Sequence, residues 1–183
     1  MVALAALGSL SLAAQAPADA FLNALSAHCG KAYEGRVINP QPADTAFARQ
    51  RLVMHVRACG DTVRIPFFVG DDRSRTWVLT RTADGVRLKH DHRHADGSED
   101  RITQYGGDAR ADGSLTGSAT RMDFAADAYT GALIATARTN IWTIEITATQ
   151  FVYQLRREGR LFRVEFDLSK PVATPPAPWG VTP

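Results

Sequence analysis

The stretch RTWVLTRTADGVRLKHDHRH, residues 75–94, contains the pattern that decides the fold. Apolar and polar side chains alternate before and after its central Ala83-Asp84-Gly85, as they do in strands with one buried face. An Asp-Gly pair between two alternating runs favours a tight hairpin, because both turn positions accept a positive φ. The stretch therefore predicts two antiparallel strands, and it places Val86 and Leu88 on the inward face of the second.

The same period of two continues along most of the chain. Turn-forming residues separate the alternating segments, and the sequence between them contains no helical segment that would make a parallel crossover. The predicted strands lie near residues 32–38, 51–57, 62–69, 75–82, 85–94, 99–106, 114–124, 132–138, 139–147, 150–157 and 160–168. Closure removes the edges of such a sheet, so we expect an all-β, antiparallel up-and-down meander closed into a single barrel over residues 21–170. A two-sheet β-sandwich is the alternative.

The N-terminal residues are typical of a secretory signal peptide. Residues 2–14 carry no charge and contain leucines among alanines, and small residues follow at alternate positions. This pattern predicts a leader over residues 1–20 and export to the periplasm or the cell exterior. A short helix is predicted over residues 18–27, because the apolar residues there have helical spacing and Gly30 stops the helix. A buried N-terminal helix that is not removed is the alternative to the leader.

Cys29 and Cys59 are the only cysteines of the chain. An even number of cysteines in an exported protein favours a bond between them. In the chain-entropy account, closing a loop of this length stabilises a fold by about 3–4 kcal/mol. We therefore predict a disulfide between the end of the N-terminal helix and the end of the strand near residues 51–57. Two free cysteines are the alternative.

The charge balance argues against a nucleic-acid partner. Lys and Arg together number 21 and Asp and Glu 19, and the basic residues are scattered among the acidic ones. Neither the charges nor the strand pattern specifies an oligomeric state. After the leader no apolar run is long enough to cross a bilayer, so no membrane span is expected. Residues 171–183 are rich in proline and are predicted to form an extended tail across the barrel surface.

The start of the predicted barrel resembles the lipocalin-like, or calycin, β-barrel proteins. The resemblance is carried by Gly30-Lys31-Ala32-Tyr33-Glu34-Gly35. In that family a Gly-x-Trp pattern opens the first strand, and its aromatic ring plugs the barrel floor against a late arginine; Tyr33 takes the place of the tryptophan here. The candidates for the late arginine are Arg156, Arg157, Arg160 and Arg163. The resemblance implies a cavity for an apolar or mixed small molecule, and it implies no catalytic residue.

Histidines occupy alternate positions in residues 90–94. On a strand His90, His92 and His94 share one face, and that face continues the inward row of Val86 and Leu88. Neutral imidazole binds zinc or copper, so a metal site, most simply a zinc site, is one interpretation of the pattern. Same-face neighbours lie about 6–7 Å apart, so a straight strand needs a bulge or ligands from another strand to bring all three onto one ion. The alternative is solvated or hydrogen-bonded histidines near a strand end.

Aromatic side chains on the predicted strands provide walls for a ligand pocket if the barrel interior is not filled. We predict that Trp77, Trp142 and Tyr153 bind a ligand together with His90 and His92. The alternative is that these aromatic residues are core residues of an ordinary β protein.

Three functions follow from these patterns. The leading hypothesis is an exported, non-enzymatic protein that holds a partly apolar small molecule in its barrel. The second is a zinc-dependent hydrolase in which the histidine strand holds the metal and Glu99 or Asp100 acts as the base. The third is a structural or interaction module of the cell envelope. The sequence favours no catalytic residue outside the hydrolase hypothesis and indicates no cofactor other than zinc.

Overall fold

The computed structural model of the protein describes residues 17–110 and 117–182. The strands of these residues are β1 Ala32–Val37, β2 Leu52–His55, β3 Thr62–Val69, β4 Asp72–Thr82, β5 Gly85–His92, β6 Tyr105–Arg110, β7 Arg121–Ala126, β8 Ile141–Ile146, β9 Gln150–Arg157 and β10 Arg160–Val172. Each strand pairs antiparallel with the next along the chain, and β1 pairs with β10 to close the barrel. The predicted all-β meander barrel is confirmed, and the two-sheet sandwich is not formed.

Short helices cover the barrel ends. In the described residues the α-helices are α1 Pro17–Ser26, α2 Thr45–Ala48 and α3 Ala128–Leu133, and the 3₁₀ helices are Pro42–Asp44 and Ala135–Ala137. α1 closes one end, where it packs against β3, β4, β5 and β8 and buries Phe21, Leu22 and Leu25. None of these helices is both long and apolar enough to cross a membrane.

The barrel interior is filled with side chains near α1. Tyr33, Met54 and Leu79 are fully buried there and belong to the same apolar cluster as the α1 residues. The seam between β1 and β10 contains an irregularity in register between Tyr33 and Gly35. A Cβ atom at Gly35 would lie 2.5 Å from the ring of Phe166, so closure of the barrel at this point requires glycine.

The inward face of β5 is the one that the alternation predicts. Val86, Leu88 and His90 are buried, whereas Arg87 is exposed and Lys89 is half-buried. A slip of one residue would bury the two cations without partners, at a large cost in free energy. The predicted register of β5 is therefore confirmed.

The strand predicted near residues 99–106 is wrong for most of its length. The hairpin partner of β5 begins only at Tyr105, and residues 93–104 form the connection. Within it, Asp100 Oδ1 accepts a hydrogen bond from the backbone N–H of Ile102 at 2.7 Å, and Gln104 has a φ of 58°. Local side-chain hydrogen bonds of this kind compete with a sheet ladder, and they end the strand pattern here.

The strand predicted at residues 132–138 is also wrong. These residues form the end of α3 and the 3₁₀ helix Ala135–Ala137. The carboxylate of Asp127 accepts the backbone N–H of Thr130 at 2.8 Å and caps the start of α3. The strand predicted at 114–124 corresponds in the described residues to β7, and residues 111–116 lie outside them.

The disulfide between Cys29 and Cys59 is confirmed. It joins the residues after α1 to the connection between β2 and β3, with Cα atoms 6.2 Å apart. The bond therefore fixes the helical cap to the barrel wall.

The two ends of the domain differ slightly from the predicted boundaries. α1 begins at Pro17, four residues before the predicted barrel domain, and β10 continues to Val172. Asp19 of α1 forms an ion pair with Arg81 at 2.7 Å. Of the predicted leader, residues 1–16 lie outside the described residues, so the signal peptide stays a prediction.

The proline-rich tail lies on the outer surface of the barrel. Val53 and Phe68 point outward from β2 and β3, are buried, and lie beside tail residues 173–176. Further along, the backbone N–H of Trp179 donates to the carbonyl oxygen of Arg73 at 3.1 Å. The tail therefore crosses several strands from outside the barrel.

Candidate functional site

A cavity of about 250 Å³ occupies the barrel end opposite α1. Its walls come from β3, β4, β5, β6, β8, β9 and β10, and α2 and the chain around Ala135–Ala137 complete the lining. The aromatic members of the lining are Phe47, Phe67, Trp77, Tyr105, Trp142, Tyr153 and Phe162. The barrel is thus packed at one end and contains an aromatic pocket at the other.

Stacked rings form one wall of the pocket. Trp77 lies almost parallel to Tyr153, with ring centroids 4.3 Å apart, and to Phe67, with centroids 4.8 Å apart. All three belong to the buried cluster inside the barrel, because each occupies a position of its strand that faces inward in the alternation of side chains. This wall offers a flat apolar surface of the kind that planar ligands stack on.

His90 is buried and makes a hydrogen bond through each ring nitrogen. Nδ1 lies 3.1 Å from the carbonyl oxygen of Tyr105, and Nε2 lies 2.8 Å from the hydroxyl of Tyr153. A carbonyl oxygen only accepts, so Nδ1 carries the proton and Nε2 accepts the Tyr153 O–H. Burial lowers the pKa of His90 from 6.5 to about 3 and raises the pKa of Tyr153 well above its usual value. Both groups are therefore neutral at physiological pH.

His92 lies one step nearer the mouth and bonds a second tyrosine. Its Nε2 lies 3.1 Å from the hydroxyl of Tyr105, and its backbone N–H donates to Thr103 Oγ1 at 2.8 Å. Burial, followed by the positive charge of Arg75, lowers the pKa of His92 to about 4, and burial raises the pKa of Tyr105 to about 12. The pocket thus presents two neutral His-Tyr pairs among its aromatic walls.

Three arginines belong to the lining, and each has a different partner. Arg75 forms an ion pair with Asp72 and lies 5.6 Å from the ring centroid of Phe47. Arg160 forms an ion pair with the buried carboxylate of Asp44. The third arginine of the lining is Arg157, whose partner is not a carboxylate.

The guanidinium of Arg157 donates from Nη1 to the side-chain oxygen of Asn140 at 3.1 Å. Asn140 is itself buried and lies in the lining. An amide oxygen holds the guanidinium in place without neutralising its charge.

The structure brings the five predicted ligand-binding residues together. His90, His92, Trp77, Trp142 and Tyr153 all line this one cavity. Their common location follows from pairing across adjacent strands, since Trp77 lies opposite His90 in the β4–β5 ladder.

The predicted three-histidine metal site is not assembled. His90 and His92 are bonded to tyrosine hydroxyls, and His94 is an exposed residue of the turn after β5. In residues 17–110 and 117–182 no three His, Cys, Asp or Glu side chains are grouped so that they could hold a metal ion. The cause is the one expected for a straight strand, whose successive inward side chains diverge.

Sequence reasoning missed several members of the lining. Phe47 comes from α2, in a region without strand pattern, and Asn140 precedes β8. Arg157 and Arg160 flank the Glu158-Gly159 turn between β9 and β10, which places them at a barrel end. The turn signal predicts that both arginines lie at an end of the barrel, but it does not predict which end contains the cavity.

Tyr33, the aromatic residue of the lipocalin-like resemblance, lies at the packed end, whereas the candidate arginines Arg157 and Arg160 line the cavity at the other end. Tyr33 is buried, with its hydroxyl 2.7 Å from His28 Nδ1. Each candidate arginine bonds another group: the partners of Arg156, Arg157, Arg160 and Arg163 are Asp123, Asn140, Asp44 and Glu165. The resemblance stays a prediction.

No known family model matches the chain, and neither a curated protein nor a solved structure is significantly similar to it. The function is therefore argued from the geometry and chemistry of the cavity.

Proposed function

We propose that the protein is an exported, non-enzymatic binding protein that holds one small, partly apolar molecule in the cavity opposite α1. The observation that carries this proposal is the uneven filling of the barrel. The α1 end is packed with apolar side chains, whereas the other end keeps a cavity of about 250 Å³ between aromatic walls. Protein interiors are normally close-packed, so an aromatic pocket of this size at one end of the barrel supports a ligand-binding role.

The volume restricts the size of the ligand. An apolar cavity of about 150 Å³ accepts a single benzene ring, and drug-sized ligands occupy pockets of roughly 300–1,000 Å³. The cavity here falls between the two. It fits a molecule of one or two fused rings.

The polar groups of the lining support recognition rather than catalysis. The hydroxyls of Tyr105 and Tyr153 are each bonded to a histidine, and all four groups are neutral near pH 7. Such groups orient a ligand through directional hydrogen bonds. The zinc-hydrolase alternative lacks a metal-ligand set in the described residues.

Export is supported by the disulfide between Cys29 and Cys59. Disulfides persist in the periplasm and outside cells and are rare in reducing cytosol. The small-molecule partner is accordingly one that the protein meets in an oxidising compartment.

A cavity-filling variant tests the proposal. Ala137 is buried and lines the cavity, so Ala137→Leu places extra carbon atoms in the space of the ligand. We expect indole, 2-naphthol or 2-naphthamide to bind the wild-type protein one to one in calorimetry, with a Kd of about 10–100 µM. Ala137→Leu should weaken that binding by about tenfold or more and should leave the melting temperature unchanged or raised, because it fills open space.

The control is the same substitution at an exposed position. Ala48 lies at the end of α2 and is not in the lining, so Ala48→Leu should keep wild-type affinity. If neither these three neutral probes nor a charged analogue of the same shape binds, or if both variants bind like the wild type, the cavity is not a ligand site, and the cell-envelope interaction hypothesis becomes the better one.

A further inference from the structure

The lining of the cavity is positively charged. It contains Arg75, Arg157 and Arg160 and, among the described residues, no Asp or Glu. The histidines of the lining add no charge, because burial keeps both neutral. The electrostatic character of the pocket is therefore set by the three guanidinium groups.

Two of these guanidinium groups are neutralised by the protein. Asp72 pairs with Arg75, and Asp44 pairs with Arg160. Arg157 forms no ion pair with a carboxylate of the described residues; its one side-chain partner there is the amide oxygen of Asn140. A guanidinium carries five N–H donors, so Arg157 keeps several of them for a ligand.

We propose, on the basis of the proposed function, that the ligand is a small aromatic monocarboxylate whose carboxylate binds Arg157 while its ring lies between the aromatic walls. One uncompensated cation matches a single negative charge. A planar guanidinium also pairs with a carboxylate through two parallel hydrogen bonds. The stacked wall of Phe67, Trp77 and Tyr153 lies deeper in the same cavity and takes the ring.

The depth of the site strengthens this pairing. Arg157 is half-buried, and its anchor Asn140 is buried, so a carboxylate bound there is partly shielded from water. Ion pairs in such positions are worth more than those on an open surface. The anchor also reduces the side-chain entropy that Arg157 loses on binding.

The test compares two probes of nearly equal shape, 2-naphthoate and 2-naphthamide, by calorimetry at pH 7.5. We expect the carboxylate to bind the wild-type protein about ten- to a hundredfold more tightly at low salt, as for hydrogen bonds to charged groups. Arg157→Gln should reduce the ratio of the two affinities to about one. Raising the salt concentration should weaken binding of the carboxylate alone.

Arg49→Gln is the matched control, because it removes the same charge from an exposed residue outside the cavity. It should leave the ratio unchanged. Arg157→Lys, which keeps the charge without the planar fork, should give an intermediate ratio and serves as the second variant if Arg157→Gln does not fold.

The outcomes separate the two proposals. Equal binding of both probes to the wild type, or a ratio that survives in Arg157→Gln, overturns the carboxylate proposal and leaves the cavity as a site for neutral molecules. Failure of both probes and of the neutral panel overturns the proposed function as well.

Discussion

His90 is held in the barrel by two hydrogen bonds, in which its neutral form donates from Nδ1 to the carbonyl oxygen of Tyr105 and accepts at Nε2 from the hydroxyl of Tyr153. Protonating Nε2 would reverse the hydrogen bond with the Tyr153 hydroxyl, and it would place a charge in a fully buried position. The positive charge of Lys89, and that of His92 once acid has protonated it, oppose that charge further. The folded protein therefore resists protonation of a side chain that the unfolded chain protonates readily.

Acid should destabilise the protein through His90. Its pKa is about 3 when folded and 6.5 when unfolded, so between these pH values the unfolded state binds more protons. Stability is then fully present above the unfolded pKa and is lost progressively as pH falls toward the folded pKa. In urea titrations the decrease in unfolding free energy from pH 7 to pH 5 should be smaller in His90→Gln than in the wild type by about 2 kcal/mol.

The control for this measurement is His94→Gln. His94 is exposed in the turn after β5, so its replacement should leave the pH dependence of stability close to that of the wild type. Parallel curves for the wild type and His90→Gln would contradict the linkage.

At the scale of elements, the tail acts as an outer strap on the barrel wall. It lies beside the outward side chains of Val53 and Phe68, which would otherwise face water. Further along, two arginine side chains donate hydrogen bonds to backbone carbonyl oxygens of the tail. Arg73 donates to Ala177 at 3.3 Å, and Arg57 donates to Thr182 at 3.2 Å. None of the tail residues lines the cavity.

A chain that ends at Val172 should be less stable but should keep the cavity and the ligand binding proposed for it. Exposure of Val53 and Phe68 costs roughly 1–3 kcal/mol of unfolding free energy, measured by urea titration. Binding of 2-naphthamide at a temperature where the truncated chain is folded should remain within about twofold of the wild type. An unchanged unfolding free energy would show that the strap adds nothing to stability.

At the scale of the molecule, the barrel is closed by non-local contacts. β1 pairs with β10, and the disulfide crosses a sequence separation of 30 residues. The ring closed by the disulfide contains β1 and β2, so it restricts the part of the unfolded chain that must return to meet β10.

Replacing both cysteines with alanine should lower the unfolding free energy by about 3–4 kcal/mol, mainly through the greater entropy of the unfolded chain. The measurement is a urea titration of the wild type and of Cys29→Ala/Cys59→Ala, with and without reductant. Reductant should move the wild type toward the double variant and leave the double variant unchanged. Equal stability of oxidised and reduced wild type would contradict this account.

Most of the barrel follows from local pattern. Alternation and Asp-Gly turns predict β4 and β5 and the inward side of β5, because a side chain's face depends only on its position along its own strand. The pattern fails at residues 99–106 and 132–138, where Asp100 and Asp127 bond nearby backbone N–H groups in place of a partner strand. Such side-chain bonds offer the backbone an alternative to ladder bonds, so residue type alone does not decide between them.

The cavity follows from the sequence only in part. The inward register predicts that His90 needs a partner, but the partner is Tyr153, 63 residues further along the chain. Whether that end of the barrel is filled depends on side chains from seven strands at once. The sequence likewise does not show that Arg157 is the arginine of the lining without a carboxylate partner among the described residues, because this depends on Asp44 and Asp72 pairing with the other two arginines.

The three tryptophans of the chain occupy two different environments. Trp77 and Trp142 line the cavity, and Trp179 belongs to the outer strap. The protein thus contains an intrinsic optical reporter, since ultraviolet emission from the first two senses the polarity of the pocket while the third supplies a constant background. Trp179→Phe removes that background without altering the lining. Occupancy of the pocket can then be followed by the fluorescence of the purified protein, without any label.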